Sequence, residues 1–187
     1  MTDTNTRSED AQSPLTDPDS LRERDDVVVE EVTRPMPDEK FEALRERYDA
    51  IAGVVQVGLT HEDAVLLWGE ESAAPPGGSV DGGEDWVAAA RDAMEDLTGQ
   101  QVEIDDPLLL EVTHFARESD ESETFPAPSV HFGASLVDPD PAFVSDPSAP
   151  EDFEHPMFED PPQLQWVEAV TDAVDENHAH HVDLYLD

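Results

Sequence analysis

Cysteine is absent from the 187 residues, and lysine occurs once, at Lys40. Without thiols there is no disulfide, no thiolate-bound zinc and no cysteine nucleophile. Nine basic residues are scattered among 47 acidic ones, for a formal charge of −38. No basic patch is available to hold nucleic acid. Apolar runs are short, and none is long enough to cross a bilayer or to form a signal-peptide core. The expectation is a soluble, cytoplasmic protein that partners neither nucleic acid nor membrane.

What the chain has in excess is negative charge. Such a surface repels itself at low salt, and the repulsion fades at molar salt, where the screening length falls to about 3 Å. The composition therefore points to a salt-filled cytoplasm, as in extreme halophiles. An acidic disordered chain is the competing reading. Periodic apolar runs between residues 51 and 137 favour a folded middle, and the length suits one ordinary domain with tails.

Met1 to Asp26 is polar and acidic and reads as a disordered tail, leaving 27–187 for the domain. Val27 to Val32 predicts a short strand, broken by Arg34-Pro35-Met36-Pro37. Asp38 to Tyr48 predicts a helix with Phe41, Leu44 and Tyr48 on its dry side. Ile51 to Leu59 and Ala64 to Trp68 predict a hairpin turning near His61, a solvated turn residue. Two strands, Val102 to Ile104 and Leu108 to Phe115, precede a charged loop, Glu118 to Glu123. Val130 to Leu136 alternates like a half-buried strand. His114 and His131 sit on these strands, either facing each other or a substrate, or packed in the sheet. Asp138 to Pro162 is rich in Pro and Asp and reads as a lid or a mobile insertion. Gln163 to Val170 carries Trp166 and Val167. His178, His180 and His181 either belong to a capped terminal helix or could bind a transition metal through imidazole. The sequence alone supplies no carboxylate at a defined spacing to complete such a site.

Pro75 to Gly99, PPGGSVDGGEDWVAAARDAMEDLTG, is the stretch the rest is organised around. Pro75, Pro76, Gly77, Gly78, Gly82 and Gly83 predict a shaped loop. Glu84 and Asp85 put negative charge at a helix start. Trp86, Ala90, Ala93 and Leu97 form a dry face, with Asp92, Glu95 and Asp96 elsewhere on the surface. Gly99 suits a left-handed stop. The three acids are either a solvated face or a grip for a hard cation.

This stretch resembles the Nudix box, G-x5-E-x7-R-E-U-x-E-E-x-G-U, where U is apolar. PPGG looks like the family's L-P-G-G, and Gly78 to Glu84 and Gly99 fall at its spacing. Read without a gap, Asp92 takes the arginine's place, Ala93 the first glutamate's and Leu97 the last one's. Slid by one residue, Arg91-Asp92-Ala93-Met94-Glu95-Asp96 reads as R-E-U-x-E-E. The two registers differ by about 100° of helix rotation.

The resemblance implies an α/β fold, a Nudix-like α-β-α sandwich with a mixed central sheet. It also implies a metal-dependent hydrolase of a nucleoside diphosphate linked to another moiety, an ADP-sugar-like or nucleotide substrate. Asp92, Glu95 and Asp96 would hold Mg2+ or Mn2+, with Glu84, Arg91 and Glu95 catalytic and Gly77 and Gly78 against the phosphates. Gln163 to Val170 would be the family's last strand, and Asp175-Glu176-Asn177-His178 would lead into its final helix. One of Glu151, Asp152, Glu154 and Glu159 would serve as a base from outside the box. The alternative is a catalytically impaired Nudix-fold module that binds a nucleotide or a protein. Family members also form homodimers, which makes a second copy a candidate partner.

Overall fold

The computed structural model describes residues 14–156 and 158–187. Its centre is a seven-stranded mixed sheet in the order β1-β5-β6-β2-β3-β7, with β4 paired to β2. β2 (Gly53–His61) and β3 (Ala64–Trp68) make the hairpin the apolar pattern predicts, turning at Glu62 with φ 53°. β4 (Gly77–Val80) pairs antiparallel with the first half of β2, so β3 and β4 share one edge of that strand.

The glycine pair thus lies in a strand, where a loop was expected. A Cβ on Gly77 would lie 1.9 Å from the Val55 carbonyl oxygen. Only a residue without a side chain allows this approach, and the pairing with β2 follows from it.

β5 (Val102–Arg117) and β6 (Asp120–Leu136) form one long antiparallel hairpin. The sequence predicts two short strands split at Pro107 and a loop over Glu118–Glu123. In the fold Pro107 sits at a register shift that absorbs its missing N–H. The acidic residues from Asp120 continue β6 at its exposed end, where charge need not be buried. β1 (Val28–Met36) runs parallel to β5 on the outer edge and passes straight through Pro35. An edge strand tolerates proline because one side of its ladder is unpaired. β7 (Leu164–Val167) closes the other end against β3.

Strand alternation sends Val55, Val57, Leu59, Leu110, Val130 and Phe132 into the core under α2 (Trp86–Thr98). Val65 and Leu67 of β3 point to the opposite face, beneath Val182 and Tyr185 of α4 (Ala179–Leu186). α1 (Asp38–Ala50) packs Phe41, Leu44 and Tyr48 on Phe115, Phe125 and Ala127. The α-β-α layering with a mixed sheet is the one expected.

The folded part starts earlier than residue 27. A 3-10 turn spans Pro18–Glu23 and buries Leu21, while Leu15 and Val27 pack on the core. The rest of the expected tail, residues 1–13, lies outside the described residues. The segment 138–162 is also built in. It holds α3 (Pro141–Ser145), and Phe143, Phe153 and Phe158 pack against the main core. The Trp166 indole N–H donates to the Val144 carbonyl at 3.1 Å.

Candidate functional site

Helix α2 begins and ends where its sequence signals lie. Asp85 caps it by accepting from the Val87 amide at 3.1 Å, and Gly99 ends it at φ 65°. The same Asp85 oxygen accepts from the Leu15 amide at 3.0 Å. Glu84 bonds the Asp81 amide at 3.0 Å and stays exposed.

The residue of α2 nearest the glycine strand is Ala93, whose Cβ lies 3.2 Å from where Gly78 would carry one. Arg91, Asp92 and Asp96 are exposed. Glu95 is half-buried, with Oε1 at 3.4 Å from the Val102 amide. Among the described residues, two groups of three acids or histidines come close enough to share an ion. They are Glu111–His131–His181 and Glu30–Glu111–His180, and no acid of α2 belongs to either. Among the described residues, Asp92, Glu95 and Asp96 are not grouped within 4.8 Å of one another. Glu154 is exposed on the segment before β7.

A concave surface lies between α1 and α4. Two depressions of about 180 and 170 Å³ share Tyr48, Val54, Gln56 and His178. One extends past Trp68, His155 and the Gly77–Gly78 strand, with Arg47 at its rim. The other reaches Glu111, Ser129 and His181, with Arg34 beside it. Two of the chain's nine basic residues therefore flank one cleft in a protein of net charge −38. Where the depressions meet, the Gln56 Oε1 atom is buried with no hydrogen-bond partner among the described residues. An orphaned acceptor of this kind costs free energy until a donor reaches it.

The wall toward α4 is a network of imidazoles around one carboxylate. His181 Nε2 lies 3.1 Å from Glu111 Oε2, and His181 Nδ1 lies 3.2 Å from His178 Nδ1. His131 Nδ1 lies 2.8 Å from the Tyr185 hydroxyl, and its Nε2 lies 3.4 Å from Ser129 Oγ. His180 Nε2 stands 3.6 Å from Glu111 Oε2 and 3.9 Å from Glu30. Burial pushes the His131 and His178 imidazoles below their ordinary value, which favours the neutral ring. For Glu111 burial acts upward, but the hydrogen bond and charge of His181 outweigh it and hold the carboxyl at about 2.

His114 and His131 do not face each other. His131 pairs with Leu109 and His114 with Pro126, and His114 lies by Glu31 at 3.6 Å. His61 ends β2, its ring 6.0 Å from Trp166. Glu111, Gln56, Ser129 and Tyr185 were not singled out from the sequence. Glu111 left one trace, as the only acid inside the apolar run Leu108 to Phe115. The other three carry no local signal, because strand pairing and the docking of α4 bring them together.

No family model matches the sequence, and no curated protein matches it. Solved structures do resemble the fold. A crystal structure of UDP-X diphosphatase matches at TM-score 0.48 and 16% identity, over 78% of this chain and 68% of its own. A NUDIX hydrolase from Nitrosomonas europaea matches at 0.40 and 17%, over 60% of this chain and 69% of its own. A chain described as an oxidoreductase, from Sinorhizobium meliloti 1021, matches at 0.46 and 17%, over 78% of this chain and 41% of its own. Likeness at this level selects no activity.

Proposed function

We propose that this protein binds a nucleotide-type small molecule in the cleft between α1 and α4, and that α2 serves as a scaffold. The observation that carries this reading is that Arg34 and Arg47, two of the nine basic residues in a chain of net charge −38, line this one cleft. The Gln56 amide, shared by the two depressions, suits the edge of a base or a sugar hydroxyl. Tyr48 and Trp68 line the depression beside it. Arg47 and Arg34 offer positive charge to a phosphate at either end. The ligand class is a nucleoside diphosphate or a derivative of one.

Calorimetry at molar KCl with a panel of nucleoside mono-, di- and diphospho-sugar compounds tests this. Binding that persists in EDTA and falls at least tenfold in Arg47→Ala is expected. A panel in which nothing binds the folded protein sinks the reading.

A second reading is hydrolysis of such a diphosphate with Mg2+ or Mn2+. Glu95 favours it, being half-buried at a depression it lines with Gly99, Gln100 and Gln101. In this reading Asp92, Glu95 and Asp96 are the ligands, with Arg91 and Glu84 in support and Gly77 and Gly78 near the phosphates. Release of a nucleoside monophosphate, lost in Glu95→Gln, is its assay. Binding without release leaves the first reading alone.

A further inference from the structure

We infer that Glu111, His131 and His181 form a binding site for a zinc-class divalent ion at the wall of the cleft. One carboxylate oxygen and two imidazole nitrogens lie within 4.8 Å of one another, and all three residues are buried. They come from three separate elements: Glu111 from β5, His131 from β6 and His181 from α4. The cluster is therefore a product of the fold rather than a solvated run of charge. Two imidazoles and one carboxylate suit zinc and its neighbours better than magnesium, which prefers oxygen ligands and its own water.

The spacing is already near what an ion needs. Ligands at about 2.0–2.1 Å around a tetrahedral zinc stand roughly 3.3 Å apart. His181 Nε2 and Glu111 Oε2 are 3.1 Å apart. His131 offers a ring nitrogen within 4.8 Å of both, its ring centroid lying 4.2 Å from that of His181.

Each imidazole also has a partner for its remaining nitrogen, as metal-bound histidines usually do. Tyr185 faces His131 Nδ1 at 2.8 Å, and His178 faces His181 Nδ1 at 3.2 Å. Metal binding selects the tautomer in which His131 Nδ1–H donates to the Tyr185 oxygen and Nε2 keeps its lone pair. The Nε2 contact given up is the long one to Ser129. Three protein ligands leave a fourth position open. Glu111 and His181 also line the depression next to Arg34 and Ser129, so that position opens on the cleft. His180 stands outside it, exposed, and is not required.

The test uses the full chain, stripped with EDTA and studied in molar KCl with excess magnesium, which occupies the acidic surface. Zinc alone is the probe. One equivalent bound with micromolar affinity or better is expected, together with a rise in melting temperature. Cobalt in its place should give the intense visible bands of a four-coordinate site. Glu111→Gln and His181→Ala should each weaken zinc at least about a hundredfold, and Tyr185→Phe about tenfold. His180→Ala should bind as the parent does. Circular dichroism identifies which variants are folded, and Glu111→Gln carries the test should His131→Ala fail to fold. No stoichiometric zinc, or unchanged zinc in folded Glu111→Gln and His181→Ala, overturns the site and leaves only a hydrogen-bonded network. Because the probe is the metal alone, failure of nucleotide binding does not touch this result.

Discussion

The Nε2 atom of His181 lies 3.1 Å from Oε2 of Glu111, pinning the last helix to the middle of the sheet. Removing the carboxylate leaves a buried imidazole without its charged partner. In metal-free protein, Glu111→Ala should cost about 1–3 kcal/mol. Glu111→Gln should cost less, because it keeps an acceptor at that place. Chemical denaturation in EDTA measures both, and equal stabilities for the two variants and the parent would refute this anchoring role.

Two glycines should respond in opposite ways. A Cβ at Gly77 meets the Val55 carbonyl, a backbone atom that has no rotamer to escape into. Gly77→Ala should lower stability by about 1–3 kcal/mol. Gly82→Ala meets nothing within 4 Å. It should fall within about 0.5 kcal/mol of the parent. A thermal melt of each variant decides the matter.

Asp85 serves two segments at once, the start of α2 and the amide of Leu15. Asp85→Ala should cost about 1–2 kcal/mol. It should also speed hydrogen exchange at Leu15 and Leu21 more than in β3. Uniform exchange changes across the chain would argue against a local clasp.

Asp105 supplies a pH test away from the cleft. Partial desolvation, and then the charges of Glu103 and Asp106, push its carboxyl above the ordinary value. The folded state then holds the proton more tightly than the unfolded one. Its contribution to stability is complete below the ordinary value and is lost as pH rises through the raised one. Asp105→Asn should therefore melt higher than the parent at neutral pH, with the gain vanishing toward pH ~4. The gain should stay under about 1 kcal/mol, since the side chain is exposed and screened. A gain that grows toward acid pH would reverse the sign of this account.

The net charge of −38 predicts a melting temperature that climbs between low salt and molar KCl. A flat profile would mean that surface repulsion does not limit stability.

The sequence showed the elements whose causes are local. The β2–β3 hairpin, the Asp85 cap, the Gly99 stop and the dry face of α2 each depend on residues within a few positions of one another. The layered architecture came from the resemblance of residues 75–99 to the Nudix box. β4 was hidden because glycine usually signals a turn, and here it signals a close strand contact with Val55. The length of β5 and β6 was hidden because each strand supports the other across Pro107 and the acidic end. The cluster at Glu111 was the hardest to see. His181 was visible as one of three histidines, but its carboxylate lies 70 residues away along the chain. Only the docking of α4 on the sheet places the two together.

The sheet order has a consequence for synthesis on the ribosome. β1 and β2 take their parallel partners from β5 and β6, which are made later. While the first hundred residues emerge, α1 and the β2–β3 hairpin can form, but the sheet has no middle. The nascent chain has to wait, with apolar strands uncovered, until Leu136 clears the exit tunnel. Its dense negative charge keeps neighbouring copies apart during that interval.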